Sequence, residues 1–182
     1  RAGKHVAPEV WGASTIEECW ELVKTAEETG MQCMMLENHC FDRIEMSALK
    51  MVREGLFGDM LHYECSYCHD LRDVKFRPGA EFGEKGEGEA RWRTVHSLRR
   101  NGDLYPTHGL GPVANYMDDN RGNRMVSLTS TASKSRALQE YIEQQGGKDH
   151  PNAELDWMLG DVVTTVIKTQ RGETITLTHD TN

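Results

Sequence analysis

Apolar residues recur at helical spacing between positions 16 and 29, and extended apolar segments lie on either side. The positions that share the apolar face are Ile16, Cys19, Trp20, Val23 and Ala26. Thr15 followed by Glu18 is a capping-box pattern, and Gly30 is a residue type that commonly ends helices. The pattern therefore predicts a helix from about Ile16 to Thr29.

Two predicted strands flank this helix. Residues 4–10 form a short extended run. Residues 31–36 are apolar with one polar interruption, which is typical of a strand buried on both faces in a parallel sheet. A strand, a helix and a second strand in this order predict a βαβ unit. Because ligands collect beyond the carboxyl ends of strands in open α/β sheets, Glu37 and Asn38 lie at a candidate binding edge.

The pattern changes after a second predicted helix, which runs from about Asp42 to Glu54. Longer segments, some with alternating apolar and polar residues, predict strands at 60–68, 125–133, 161–169 and 173–180. Two more helices are predicted at about 110–119 and 135–145, a hairpin turn at Gly172-Glu173, and a polar loop at 78–90. This part of the chain is therefore predicted to be α+β, with a largely antiparallel sheet.

The charge of the chain argues against a nucleic-acid partner. The formal net charge is −8 and the sequence pI is about 5.5, whereas phosphate binding needs a concentrated basic face. No apolar run approaches the roughly 18 residues that a membrane span requires, so no membrane segment is expected. The chain begins with Arg1 rather than methionine, and we interpret both ends as cuts through a larger protein. The sequence therefore leaves the cellular compartment open.

The five cysteines do not form the regular, even-numbered pattern of a disulfide framework. Cys65-Ser66-Tyr67-Cys68-His69 matches the c-type haem attachment pattern, and its ligand-type residues together with His39 could supply a zinc site. Both interpretations are disfavoured. The motif lies on a predicted strand with no second axial ligand nearby in the sequence, and structural zinc sites usually draw on two compact ligand pairs. No metal is expected.

The segment 105–112 carries the strongest candidate chemistry. Tyr105 and His108 place a phenol and an imidazole, both proton-transfer groups, three residues apart. Pro106 fixes its own φ and restricts the residue before it, so we expect a stiff turn to present the two side chains. The two glycines after His108 are interpreted as positions where another molecule can approach the backbone, and a helix is expected to start just after His108. A loop with a capping histidine is the alternative.

Motifs spread over nearly the whole chain point to one family. They are Gly3-Lys4-His5-Val6, Glu9-Val10, Glu17-Glu18-Cys19-Trp20-Glu21, Leu36-Glu37-Asn38, Gly55-Leu56-Phe57-Gly58, His69-Asp70-Leu71-Arg72, Trp92-Arg93, Arg99-Arg100-Asn101-Gly102, Tyr105 to Pro112, Asn120-Arg121-Gly122, Gly160-Asp161, Thr164-Thr165 and Thr178-His179-Asp180. With them the chain resembles the NAD-dependent α-N-acetylgalactosaminidases, a bacterial glycoside hydrolase branch of the Gfo/Idh/MocA oxidoreductase superfamily.

The resemblance implies a fold class that combines α/β with α+β. Residues 1–40 would be the end of a Rossmann dinucleotide-binding domain, and residues 41–182 the antiparallel-sheet domain for substrate and dimerisation, with the chain truncated at both ends. Members of the superfamily commonly form subunit interfaces through this sheet, so the resemblance also implies a possible homodimer.

The resemblance also implies roles for particular residues and NAD as the cofactor. The implied cofactor-binding residues are Glu9, Val10, Asn38 and Tyr105. The implied substrate-binding residues are Tyr67, Arg93, Tyr105, Pro106, Thr107 and His108, and the implied catalytic residues are His108 and Tyr105. Because the family's Gly-rich phosphate-binding turn lies outside this chain, the chain alone is not expected to hold NAD or to be active.

The implied reaction is hydrolysis of terminal α-linked N-acetylgalactosamine from a glycan or small glycoside. NAD⁺ takes hydride from C3 of the sugar, the C2 proton becomes acidic, a base removes it, and the leaving group departs from C1. Water then adds and the hydride returns to C3, so the cofactor is recycled.

Two alternatives to this reaction stay open. One is an NAD(P)-dependent sugar oxidoreductase that releases its oxidised product, and the other is a non-catalytic sugar-binding or dimerisation module. Val10 favours the hydrolase over the oxidoreductase, because it stands where the sugar dehydrogenases of the superfamily carry an acid–base lysine.

Overall fold

The computed structural model describes residues 2–9, 12–77 and 85–182 of the chain. Their α-helices are α1 (Ile16–Thr29), α2 (Arg43–Arg53), α3 (Arg72–Lys75), α4 (Ala90–Arg99), α5 (Thr107–Tyr116) and α6 (Ala137–Gly146). The strands are β1 (His62–Cys68), β2 (Met125–Ala132), β3 (Val162–Thr169) and β4 (Thr174–Asp180). Short 3₁₀ helices cover Asn38–Phe41 and Pro151–Glu154. Within these described ranges, no helix has the length and apolar character needed to cross a membrane.

The four strands form one sheet in the order β1–β4–β3–β2. β3 is antiparallel to both of its neighbours, and a short turn at the predicted position joins it to β4. β1 is parallel to β4, which places Tyr67 beside His179. The predicted ends of the four strands differ from the observed ends by at most two residues. The parallel pairing of β1 with β4 is consistent with the largely antiparallel sheet that the sequence predicts.

One face of the sheet carries the core. Alternate residues of β3 are buried, as expected for a strand with one covered face. Val113 of α5 and Met117, the residue that follows α5, pack against Tyr63, Ile167 and Ile175 of the sheet. A second cluster joins α6 and the following 3₁₀ helix to the segment after α3, through Phe76, Leu138, Ile142, Ala153 and Trp157. The first cluster fixes α5 against β1, and the candidate site lies where these two elements meet.

The other face of the sheet is open. Val162 and Val166 of β3 are exposed on this face, together with Thr164 and Lys168. An exposed sheet face with apolar residues is compatible with the homodimer that the resemblance implies. The homodimer itself stays a prediction.

α1 agrees with its prediction at both ends. The Thr15 hydroxyl oxygen accepts a hydrogen bond from the Glu18 backbone N–H (3.1 Å), and the Glu18 carboxylate accepts from the Thr15 N–H (3.1 Å). Gly30 caps the carboxyl end with a left-handed conformation (φ 66°). The capping box and the glycine therefore set the length of this helix.

The strand predicted at residues 31–36 is wrong in two respects, because the segment forms a single β-bridge rather than a strand and is not buried on both faces. Val6 forms a parallel bridge with Cys33, and the Leu36 N–H donates to the Pro8 carbonyl oxygen (2.9 Å). Met34 is nevertheless 53 % exposed, and α1 has no buried residue. Among the described residues, no third strand pairs with this segment and no second layer covers it. The apolar residues that make the segment look like a central strand are therefore open to solvent.

Three α-helices differ from the sequence prediction, and one of them, the short α3, lies where no helix is predicted. α5 begins at Thr107 rather than after His108, because Pro106 occupies the N-cap position with a helix-like φ of −71°. His108 therefore lies in the first turn of α5. α4 lies where no helix is predicted, and its first residue falls in the stretch that the sequence assigns to a polar loop.

Gly160 allows the chain to pass closely over the end of β2. A β-carbon at this buried position would overlap the Ser133 carbonyl oxygen and would lie 2.9 Å from the Ala132 β-carbon. We expect Gly160→Ala to lower the free energy of unfolding by about 1–3 kcal/mol, the usual cost of overpacking. Urea unfolding of the variant measures this loss.

Gly102→Ala is the matched control for Gly160→Ala. A β-carbon at Gly102 would meet no atom within 4 Å, so the stability of this variant should stay near that of the wild type. Equal stability of the two variants would contradict the close approach at Gly160.

Candidate active site

Three aromatic side chains meet where β1 ends and α5 begins. The ring centroids of Tyr67 and Tyr105 are 4.7 Å apart, and those of Tyr105 and His108 are 4.8 Å apart. Tyr67 and His108 are separated by 5.6 Å, so the three rings form one cluster. The Tyr105 N–H donates to the Asp103 carboxylate (2.9 Å), which fixes the turn before Pro106. The structure therefore brings together the phenol and the imidazole that the sequence singles out.

α5 can approach β1 closely because residue 109 has no side chain. A β-carbon on Gly109 would lie 2.9 Å from the backbone nitrogen and oxygen of Ser66. Ser66 directly precedes Tyr67 in β1, so this contact sets the distance between the two elements that carry the rings. The expectation that the glycines after His108 admit another molecule is wrong for Gly109, since the chain's own strand occupies that space.

Arg93 of α4 lies against the same cluster. Its guanidinium carbon is 4.2 Å from the Trp92 ring centroid and 5.2 Å from that of Tyr105. Its Nε donates to the Glu89 carboxylate (2.6 Å), and only 11 % of the side chain is exposed. A guanidinium held by a carboxylate and two aromatic faces is a rigid donor group. Arg93 is therefore fixed beside the aromatic cluster.

Burial changes the acidity of the two phenols in the cluster. It raises the pKa of Tyr67 above its usual value, and the positive charge of Arg93 only partly offsets this effect. Burial also raises the pKa of Tyr105, and the neighbouring Tyr67 raises it further. Both phenols are therefore protonated at neutral pH and can donate hydrogen bonds.

Sequence reasoning missed the direct partner of His108. The His108 Nδ1 atom lies 2.7 Å from the Glu37 Oε1 atom, and Glu37 is only 5 % exposed. The same oxygen accepts a hydrogen bond from the His39 backbone N–H (3.1 Å). The His39 ring stands edge-on to the His108 ring, with centroids 4.2 Å apart. The sequence signals for Glu37 are its position at the end of the segment 31–36, where ligands are expected, and its place in the family motif Leu36-Glu37-Asn38. Neither signal identifies His108 as its partner.

The remaining predicted site residues occupy two settings. Pro106 and Thr107 lie at the start of α5, and the Thr107 hydroxyl oxygen is buried without a hydrogen-bond partner among the described residues. Glu9 and Asn38 are both exposed. The two paired segments are residues 4–9 and 31–36, which are joined by the hydrogen bond from the Leu36 N–H to the Pro8 carbonyl oxygen. Glu9 and Asn38 lie at or just beyond the carboxyl ends of these segments. Val10 lies outside the described residues.

A cavity of about 540 Å³ opens beside Tyr105 and Pro106. Its wall includes Trp92, His96 and Arg100 of the region around α4, and Trp92 is 40 % exposed. A volume of this size accommodates a small ligand. The cavity therefore gives a ligand access to the aromatic cluster at Tyr105.

The haem and zinc interpretations gain no support from the arrangement of the motif. Cys65 and Cys68 are three positions apart in β1, so their side chains point to opposite faces of the sheet. The Tyr67 hydroxyl lies 3.1 Å from His69 Nδ1, so His69 already has a partner. In the part of the chain that the structure describes, no three metal-ligating side chains form a cluster.

The fold is shared with proteins of the NAD-binding oxidoreductase class. An NAD binding oxidoreductase from Klebsiella pneumoniae matches with a TM-score of 0.68 and 19 % identity over 98 % of this chain and 42 % of that one. An inositol dehydrogenase homolog complexed with NAD⁺ from Azotobacter vinelandii matches with a TM-score of 0.66 and 18 % identity over 97 % of this chain and 39 % of that one. At these identities the likeness shows the fold alone.

The chain belongs to the glycosyl hydrolase 109 family, because residues 41–182 match the family model described as the C-terminal domain of glycosyl hydrolase 109. It is 52 % identical to an alpha-N-acetylgalactosaminidase from Tannerella forsythia, over 98 % of this chain and 40 % of that protein. It is 50 % identical to a glycosyl hydrolase family 109 protein from Parabacteroides distasonis, over 98 % of this chain and 41 % of that protein. The chain thus spans about two fifths of the length of these relatives. The family resemblance is confirmed.

Proposed function

We propose that the complete protein hydrolyses terminal α-linked N-acetylgalactosaminides, with NAD-dependent transient oxidation at C3 of the sugar. The observation that carries this proposal is the cluster of Tyr67, Tyr105 and His108 beside Arg93, with a cavity next to it. The relative from Tannerella forsythia, which is 52 % identical, is named as an alpha-N-acetylgalactosaminidase, and this name supports the proposal. A glycan or small glycoside with this terminal sugar is therefore the proposed substrate.

The cluster contains the groups that the reaction needs. His108 offers an imidazole nitrogen that can take the proton from C2 and return one later. Tyr105 offers a protonated phenol that can donate to an oxygen of the sugar or relay a proton. Arg93 offers fixed N–H donors for sugar oxygens or the acetamide carbonyl. Tyr67 offers an aromatic face for the ring.

The residues at the carboxyl ends of the paired segments fit the nicotinamide end of NAD. Glu9 and Asn38 are exposed there and offer a carboxylate and an amide, which can accept and donate hydrogen bonds. Dinucleotides bind beyond the carboxyl ends of parallel strands in related folds. When bound, NAD would supply the acceptor and donor of hydride that C3 requires. Tyr105, two residues before α5, would lie on the sugar side of the nicotinamide ring.

Deuterium incorporation tests the elimination route. When the complete protein cleaves an aryl α-N-acetylgalactosaminide in deuterated water, we expect deuterium at C2 of the released sugar, because the C2 proton exchanges with solvent during elimination. NMR or mass spectrometry of the product at early conversion measures this. Sugar incubated with the protein after release is the control, since it reports exchange that does not accompany cleavage.

The other outcomes separate the alternatives. Cleavage without deuterium at C2 would indicate direct displacement at C1. Stoichiometric NADH with an oxidised free sugar and no glycoside cleavage would indicate a sugar oxidoreductase. Sugar binding with neither product would indicate a non-catalytic module.

A further inference from the structure

We infer that Glu37 is a positioning residue that holds the His108 ring with its proton on Nδ1, so that Nε2 is the nitrogen that exchanges protons. The kinetic consequence of this inference rests on the proposed function. The tautomer itself does not, since it follows from contacts within the chain. The inference depends on a hydrogen bond between Glu37 and His108, on the burial of the carboxyl group and on the space that α5 leaves for it.

The hydrogen bond fixes which ring nitrogen carries the proton. Glu37 Oε1 and His108 Nδ1 are 2.7 Å apart, and an ionised carboxylate can only accept. The His39 backbone N–H donates to the same oxygen, which makes Oε1 the acceptor in both contacts. His108 Nδ1 must then be the donor, and Nε2 is left with its lone pair.

Burial makes this contact specific. Glu37 is 5 % exposed and 18 % of the His108 side chain is exposed, so water competes little for either group. A hydrogen bond shielded from water in this way is electrostatically stronger than one exposed to solvent. If the His108 ring turned, the buried Glu37 Oε1 atom would lose the hydrogen bond from Nδ1, which is unfavourable.

α5 supplies both His108 and the space for its partner. Gly111 lies three residues after His108, on the same side of the helix. A β-carbon at Gly111 would lie 2.9 Å from Glu37 Cγ and 2.9 Å from Cys40 Sγ. The absence of a side chain at this position lets the buried carboxyl group reach the ring. The space beside Gly111, the second glycine after His108, is therefore occupied by the Glu37 side chain rather than by another molecule.

A second carboxylate–imidazole pair lies next to the first and supplies a matched control. The His39 Nδ1 atom lies 2.7 Å from Asp42 Oδ2, but both of these side chains are about half exposed. The Asp42 side chain makes no capping hydrogen bond to α2. Asp42→Asn therefore removes a carboxylate from an imidazole in the same region without touching Glu37 or His108.

The tautomer is measured by NMR of the complete protein labelled with ¹⁵N-histidine, with His108→Gln used to assign the signal. We expect the wild type to show a protonated Nδ1 and an unprotonated Nε2. Glu37→Gln should keep this pattern, because the His39 N–H holds the amide oxygen next to Nδ1. Glu37→Leu should lose it. The inference would be overturned if the wild-type His108 ring were protonated on Nε2. It would also be overturned if the ring stayed protonated on Nδ1 in Glu37→Leu.

The kinetic measurement uses the same variants. Glu37→Leu should lower kcat for the glycoside by about 10²-fold with little change in KM, while Glu37→Gln should retain activity within about tenfold of the wild type. Asp42→Asn should match the wild type. If Glu37→Leu does not fold, Glu37→Asp replaces it, since the shorter side chain withdraws the carboxylate from Nδ1.

The two measurements separate the inference from the proposed function. A wild-type protein that cleaves no glycoside would overturn the proposed function, and the tautomer would still test the role of Glu37. A wild type that cleaves the glycoside, with Glu37→Leu at full activity, would overturn only the role of Glu37.

Discussion

Replacing His108 by alanine is expected to lower kcat of the complete protein for an aryl α-N-acetylgalactosaminide by at least about 10²-fold. The imidazole is the group in the aromatic cluster best suited to take a proton at neutral pH, because burial keeps the two phenols beside it protonated. Initial rates over a range of substrate concentrations separate kcat from KM. The change should lie mainly in kcat, since the alanine leaves Tyr67 and Arg93 in place for substrate.

His62→Ala is the matched control for His108→Ala. His62 lies at the other end of β1 from Tyr67, roughly 16 Å away along the strand, and 44 % of its side chain is exposed. This variant should turn over substrate like the wild type. Near-normal kcat in His108→Ala would remove His108 from the mechanism, whatever its place in the cluster.

The strands were predictable because their signals are local. The turn at Gly172-Glu173 depends only on neighbouring residues, and the structure places a turn between β3 and β4 there. The alternation of apolar and polar residues in β2 also predicts its strand, although no residue of β2 is buried. The same holds for α1, whose capping box and terminal glycine are read within a few positions. The pairing partner of β1 is different. It joins residues about 110 positions apart, and nothing local distinguishes a parallel from an antiparallel neighbour.

α4 was not predictable from hydrophobic periodicity, although it carries Arg93. Its buried residues are Ala90, Thr94 and Ser97, which have helical spacing but are small or polar. A helix that packs through small side chains shows no apolar stripe in the sequence. The position of Arg93 in the site therefore came from the family resemblance rather than from the pattern.

The candidate site was predictable in its local part only. Tyr105 and His108 are close in the sequence, so their meeting could be expected from the stiff turn at Pro106. The contact between Glu37 and His108 spans 71 positions and depends on the space at Gly111. A lone glutamate after an apolar segment does not reveal its partner, so the sequence suggests only a binding edge there.

Acidification is expected to destabilise the protein through His179. This residue is 1 % exposed, and its Nδ1 has no hydrogen-bond partner among the described residues. Burial, together with the charge of Lys75, lowers the pKa of His179 from 6.5 to about 4. The unfolded chain therefore binds one more proton than the folded chain between these values, so the stability conferred by the neutral ring is lost as pH falls through this window. At 1.36 kcal/mol per pH unit the loss is about 3 kcal/mol.

His179→Gln removes this titration and measures its size. Urea unfolding at about pH 7 and about pH 4 should show that the wild type loses about 3 kcal/mol more than the variant, while His62→Gln should behave like the wild type. Lys75 does not disturb the comparison, since its pKa, lowered by burial to about 8, keeps it protonated throughout. Equal losses in the wild type and His179→Gln would mean that His179 accepts its proton in the folded protein as readily as in the unfolded chain, which contradicts its burial beside Lys75.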